Sequence, residues 1–172
     1  MKESLPLKFV SILIPFKEVT ENSVSLWFQR RSDENPELDG KLEFPGGKVE
    51  KEETPFQAVI REAQEELEIS KEECGKPLFI KLSSFSYSDR KVVLYSYMSY
   101  GPELVKNAPG EWITFKNNEW RSKYEKSLPE ANLEIIDDLM SFLTSCAKDH
   151  PELDTEKLWK QLDQLPNSFF SH

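Results

Sequence analysis

Three glutamates, Glu62, Glu65 and Glu66, lie at i, i+3 and i+4 of a segment that reads as a helix, downstream of a Gly46-Gly47 turn. Residues so spaced share one helical face. Carboxylates clustered on that face repel one another unless a cation joins them. Oxygen-only ligands of this kind suit Mg2+ or Mn2+ better than a softer metal, and the usual substrate for such a metal is a polyphosphate. The bland reading is a solvated acidic helix face, the common meaning of such a run. The upstream Gly-Gly turn and the spacing to Glu53 favour the chemical reading.

The elements that must hold these residues are legible on either side. Leu42 to Phe44 is a short strand feeding Pro45-Gly46-Gly47. The helix is expected from Thr54 to Glu68, with Thr54 as N-cap and Pro55 at the first helical position. Phe56, Val59, Ile60, Ala63 and Leu67 form an apolar stripe, and the glutamates fall on a different face. Residues 7–16 read as a buried strand and Ser23 to Arg31 as its hairpin partner. Residues 32–41 form a loop. Leu78 to Tyr87 and Lys91 to Tyr100 flank a Ser88-Asp89-Arg90 turn, and Glu111 to Phe115 is another short strand. Asn117 to Glu130 is polar and loop-like. A second amphipathic helix covers Glu130 to Ala147, burying Leu133, Ile136, Leu139, Met140 and Leu143. Pro151 breaks the chain, and a third helical segment, Thr155 to Leu165, carries Leu158, Leu162 and Leu165. This order predicts an α/β fold with a mixed sheet between helices.

Composition narrows the function classes. At 172 residues the chain can bury one proper core. Its net charge of −9 argues against long nucleic acid as a partner, although metal ions and a few local cations can still hold a small polyanion. No apolar run approaches the roughly 20 residues of a membrane span, and the first residues lack a signal-peptide core. Cys74 and Cys146 have no metal or redox spacing and read as buried free thiols; a cytoplasmic location is expected. The histidines, His150 and His172, both sit in the tail, which argues against histidine catalysis and a histidine-ligated zinc.

The spacing Gly47, Glu53, Arg61-Glu62-Ala63-Gln64-Glu65-Glu66-Leu67, Ile69 resembles the Nudix box, with all its charged positions filled. The likeness extends to Lys41-Leu42-Glu43-Phe44-Pro45-Gly46-Gly47-Lys48, Arg30-Arg31, Asp89-Arg90, Gly110-Glu111-Trp112 and Ala131-Asn132, all similar to MutT-type 8-oxo-dGTP diphosphatases. It implies an α/β/α Nudix sandwich over residues 1–147, with residues 148–172 as a helical extension packed on the same domain. It also implies Mg2+-dependent hydrolysis of a nucleoside triphosphate to the monophosphate and diphosphate, with Mn2+ able to substitute. By matching position, the Gly46 carbonyl and Glu62, Glu65 and Glu66 would bind metal. Glu53, Arg61, Glu62 and Glu65 would form the catalytic set, with Arg61 bracing the cluster. Arg31 and Lys48 would contact phosphates; Phe44, Tyr87, Arg90 and Asn132 would serve the base.

Two positions depart from the pattern. Glu68 stands where the box has a glycine near the helix end, a residue that supports the exit turn. Lys106 stands where MutT-type enzymes carry an outer metal-binding glutamate, so either Glu103 or Glu111 serves instead or the site has one ligand fewer. Asn132 also fits a helix cap, Arg31 a solvated strand-end charge, and Phe44 and Tyr87 ordinary core aromatics. The expected partner is a small nucleotide, best an oxidised guanine nucleotide such as 8-oxo-dGTP, with no membrane and a monomer preferred over a dimer. A CTP-type nucleotide or a dinucleoside polyphosphate is the alternative substrate, and a non-catalytic 8-oxoguanine-binding module the alternative class.

Overall fold

The computed structural model describes residues 4–164. Among them the chain forms two compact units, one from residues 4–14 and 45–99, the other from residues 15–44 and 100–164. Strand β1 (Leu7–Val19) contributes its first half to one unit and its second half to the other.

The first unit contains strand β4 (Gly46–Lys48), helix α1 (Pro55–Leu67), the short helix α2 (Lys71–Cys74) and a hairpin of β5 (Leu78–Ser86) and β6 (Lys91–Tyr100). β4 lies antiparallel to β1, with Ile12 opposite Gly46 and Val10 opposite Lys48. The hairpin pairs Leu78 with Met98 and runs to Ser86 with Lys91, with an irregularity between Phe79 and Lys81. Lys91 N–H donates to the Pro6 carbonyl, and Gly101 N–H to the Phe16 carbonyl. Both strands advance equally between these bonds, so β1 and β6 run parallel and the sheet is mixed, as expected.

Helix α1 begins where the sequence places it. The Thr54 hydroxyl accepts from Gln57 N–H while the Gln57 side chain accepts from Thr54 N–H, a complete capping box. Ala58, Val59, Ile60, Ala63 and Leu67 are buried. Phe56, expected in that stripe, remains 38% exposed; it sits in the first turn, against the edge of Tyr97 at 6.0 Å between centroids. The helix ends at Leu67, and Glu68 itself takes the left-handed conformation (φ 54°, ψ 42°) that the box glycine would supply. Helix α2 escapes a periodicity reading because it is one turn long, yet Ser70 and Glu73 form a second capping box that announces it.

The second unit is organised around β2 (Ser23–Arg30). It pairs with β1 (Phe16 opposite Leu26), with β3 (Leu42–Glu43) and, along most of its length, with β7 (Glu111–Lys116). Phe16, Leu26, Trp27, Phe28 and Phe115 fill its core. Helix α3 (Trp120–Tyr124) occupies part of the expected loop, placing Trp120 edge-on to Phe115. Helix α4 (Glu130–Asp149) buries Ile135, Ile136, Leu139, Met140 and Leu143; Leu133 is only half-buried. Helix α5 (Thr155–Leu162), capped by Asp154, is the extra C-terminal helix. Thr155 Oγ1 accepts from Val19 N–H, and Trp159 meets Phe16 edge-on at 5.4 Å. Leu165 and His172 lie outside the described residues. Cys74 is buried and Cys146 half-buried, both as free thiols; burial pushes the Cys74 thiol up to about 11. Among the described residues no helix is long and apolar enough to cross a membrane.

A left-handed residue other than glycine costs about 1 kcal/mol. Glu68→Gly is therefore expected to raise the unfolding free energy by about that amount, measured by urea denaturation. A loss of stability would show that the Glu68 side chain contributes more than its backbone strain costs.

Candidate active site

In the first unit the sequence brings a glycine strand, a loop and a helix together through one cation. Arg61 Nε donates to Glu53 Oε2 at 2.8 Å, and one terminal nitrogen donates to Glu53 Oε1 at 3.0 Å and to the Lys48 carbonyl at 2.9 Å. The other terminal nitrogen donates to Glu62 Oε1 at 2.7 Å and lies 3.6 Å from Glu65 Oε2. Arginine suits this place because its planar fork offers five donors that cannot be deprotonated. Glu53 Oε1 also accepts from Glu50 N–H, which closes the loop between β4 and α1.

Two carboxylates reach the glycine strand. Glu66 Oε2 accepts from Gly46 N–H at 2.9 Å. The Glu62 carboxylate lies on Gly47, where a Cβ would fall 2.2 Å from Glu62 Oε1. At Gly46 (φ 156°) a Cβ would instead meet backbone, 2.2 Å from the Ser11 carbonyl oxygen. Gly47 is therefore a seat for a functional side chain as well as a turn residue, a role that the spacing signals without revealing.

Glu65 does not join the other two and is 60% exposed. Among the described residues, no three His, Cys, Asp or Glu side chains are gathered closely enough to enclose an ion. Glu62 and Glu66 each rest on a donor of the protein, Arg61 and Gly46 N–H respectively. The donor set still fits a hard divalent cation: it is oxygen only, it lies on one helix face beside a glycine strand, and Arg61 holds Oε1 of Glu62 rather than both oxygens.

Other expected site residues have partners of their own. Lys48 is exposed, and its carbonyl serves Arg61. Arg90 bonds to Asp89 at 2.7 Å and lies over the exposed Tyr87 ring at 5.3 Å. In the second unit Arg31 donates to Asp33 at 2.7 Å and lies 3.7 Å from Glu43; burial raises the Glu43 carboxyl above its usual range, against the pull of Arg31. Phe44 is a core residue, stacked on Phe28 at 4.5 Å. Glu103 pairs with Lys106 at 3.5 Å, and Glu111 with Arg30 at 2.7 Å, so each glutamate offered as the outer ligand already faces a cation. Asn132 is 7% exposed. It is not a cap: Pro129 holds that position, without any side-chain capping bond.

The charge state of the Arg61 cluster follows from its hydrogen bonds. The Arg61 guanidinium holds the Glu53 carboxyl below its ordinary value of 4.5, with the Glu50 N–H adding to the effect and partial burial opposing it. Hydrogen bonds to Glu53 and then Glu62 push Arg61 further up. A depressed carboxyl contributes stability that is complete above its unfolded value and is lost as pH falls through its folded one. The stability gap between the native chain and Glu53→Gln should therefore be widest near neutrality and close as pH falls below the carboxyl's ordinary value of 4.5. Urea unfolding across that range checks it; a gap unchanged at low pH would mean that Arg61 does not keep Glu53 ionised.

Comparison with known proteins places the chain in a family. Residues 10–137 match the NUDIX domain model. The chain is 38% identical over 98 residues to the 8-oxo-dGTP diphosphatase of Escherichia coli strain K12, covering 55% of this chain and 72% of that protein. Its fold resembles the solution structure of the E. coli ORF135 protein, with TM-score 0.58 and 20% identity over 80% of this chain and 91% of that one. It also resembles the Ap4A hydrolase of C. elegans, with TM-score 0.55 and 16% identity over 80% of this chain and 98% of that one. A helix whose arginine clamps two box glutamates beside a Gly-Gly strand, inside a matched NUDIX domain, makes this chain a member of the Nudix hydrolase family.

Proposed function

We propose that the chain is a divalent-cation-dependent nucleoside triphosphate diphosphatase that removes oxidised guanine nucleotides, 8-oxo-dGTP foremost, from the precursor pool. Water attacks the phosphate chain, the phosphoanhydride linking the α- and β-phosphoryl groups breaks, and the products are a nucleoside monophosphate and diphosphate. The observation that carries the reading is the Arg61 clamp, which keeps Glu53 ionised and sets Glu62 on Gly47. The 38% identity to an 8-oxo-dGTP diphosphatase supports the choice of substrate.

Glu62, Glu65, Glu66 and the Gly46 carbonyl would hold the cation, with Mg2+ preferred and Mn2+ an acceptable substitute. When bound it supplies neutralisation of the polyphosphate and a lowered pKa for water. Glu53 is gripped through both oxygens by Arg61 and serves to hold the cluster rather than to take a proton. Glu65, exposed and at 3.6 Å from Arg61, is the better proton acceptor. Lys48 and Arg31 supply charge for the phosphates, Arg31 by exchanging Asp33 for a phosphate oxygen. Tyr87 and Arg90 offer a stacked surface for a base. The Asn132 amide carries both a donor and an acceptor, the pair needed to read O6 and a protonated N7, the edge that oxidation at C8 creates.

The two glycines separate catalysis from folding. Gly47→Ala displaces only the tip of Glu62, so a roughly hundredfold fall in kcat with near-native stability is expected; Gly46→Ala strikes the β1 backbone and should destabilise the fold. Full turnover in Gly47→Ala would sink the assignment of Glu62. Steady-state rates over a nucleotide panel should favour 8-oxo-dGTP over dGTP, and Asn132→Ala should reduce that preference roughly tenfold. A panel led by CTP or a dinucleoside polyphosphate would move the substrate assignment while leaving the hydrolase chemistry in place.

A further inference from the structure

We infer that the part of the first unit's sheet left open beside α1, carrying Leu7, Phe9 and Leu82 with Phe56 of α1 at its margin, binds a second copy of this chain. These residues are distant in sequence, yet strand register puts them on one surface. Side chains two apart on a strand share a face, so Leu7, Phe9 and Ser11 point the same way on β1. The Ser11 hydroxyl donates to the Pro55 carbonyl, next to Phe56, which identifies that face as the one carrying α1. The Phe56 ring meets Tyr97 of β6, and Tyr97 also meets Phe79 of β5. Two residues earlier on β6, Tyr95 lies opposite Leu82. The parallel bond from Lys91 N–H to the Pro6 carbonyl sets Leu7 beside Lys91 and hence Phe9 beside Val93. Leu82, Tyr95, Val93, Phe9 and Leu7 thus form one row across three strands, with Phe56 at its margin.

The exposure is large for these residue types: 51% for Leu7, 42% for Phe9, 38% for Phe56 and 55% for Leu82. Together with the half-buried Val93 and Tyr95 they present on the order of 500 Å2, at the upper end of what a monomer leaves open. Two such faces in contact bury about 1,000 Å2, the lower bound for a specific interface. Sheets pack face to face through rows of this kind, and a twofold axis makes one patch complementary to itself. Ser84, Val93, Tyr95 and the exposed Lys91, which share this face, carry no acidic group, so copies of a chain with net charge −9 can approach here without repulsion between carboxylates. The same charge disfavours an anionic lipid surface as the occupant.

Sedimentation velocity over a concentration series up to about 100 μM tests the inference. The native chain should rise from 20.0 kDa toward about twice that mass. Leu7→Glu/Leu82→Glu should remain at the mass of one chain, with native circular dichroism and native nucleotide hydrolysis, since neither residue belongs to the proposed active site. The milder Leu82→Gln should weaken association as well, which separates a lost interface from a lost fold. A native chain that remains at 20.0 kDa throughout overturns the proposal. A double variant that associates as strongly as the native chain overturns it too, by placing the contact elsewhere.

Discussion

Arg61 is the centre of the first unit's chemistry because it solves an electrostatic problem that the sequence creates. Glu53, Glu62, Glu65 and Glu66 are drawn toward one short helix and the loop before it, and four negative charges so placed repel. One guanidinium engages Glu53 through both oxygens, Glu62 through one, and the Lys48 carbonyl as well. It thereby fastens loop to helix and helix to strand with charge-assisted bonds, stronger than neutral ones. A lysine could supply the charge but not the planar fork that reaches two carboxylates and a carbonyl at once. Glu53 stays ionised because its counter-charge is built into the helix that follows it.

The helix can carry this charge because its other side is committed to packing. Val59, Ile60, Ala63 and Leu67 anchor it, and the Thr54–Gln57 box fixes its first turn. Register between helix and strand is set by contact rather than propensity: Glu66 bonds Gly46 N–H and Glu62 rests on Gly47. Each glycine removes a different obstacle. At Gly46 the β1 backbone lies too close for a side chain, and at Gly47 the Glu62 carboxylate does. Glu68 shows the opposite economy, since a residue with a Cβ tolerates a left-handed exit that favours glycine.

What the sequence disclosed and what it concealed divide along the range of the interactions. The start and apolar face of α1, the β5–β6 hairpin, α4 and the short final helix follow from periodicity and caps, which act within a few residues. Helices α2 and α3 are a turn or so each, below the length at which a period can be read. Phe56 has the right spacing for burial but too little of the first unit over it, and spacing cannot report that. The pairs Arg31–Asp33 and Arg31–Glu43, Arg30–Glu111 and Glu103–Lys106 were equally hidden. Each depends on which charge the folded backbone brings near, so a residue typed as a phosphate or metal ligand can already be another residue's counter-ion.

That competition bears on the outer ligand. Moving Glu111 to a cation would strip Arg30 of its carboxylate while leaving its bond to the Gly40 carbonyl. Moving Glu103 would require it to leave Lys106, a contact 83% exposed on the glutamate side and thus weakly held. Of the two, Glu103 is released at less cost. Lys106, which the sequence resemblance sets where MutT-type enzymes carry a glutamate, brings a positive charge where a carboxylate would bring a negative one. A cation bound beside a lysine is disfavoured, whereas a phosphate oxygen beside it is favoured. On charge alone, Lys106 therefore favours an anionic oxygen over a divalent cation as a neighbour.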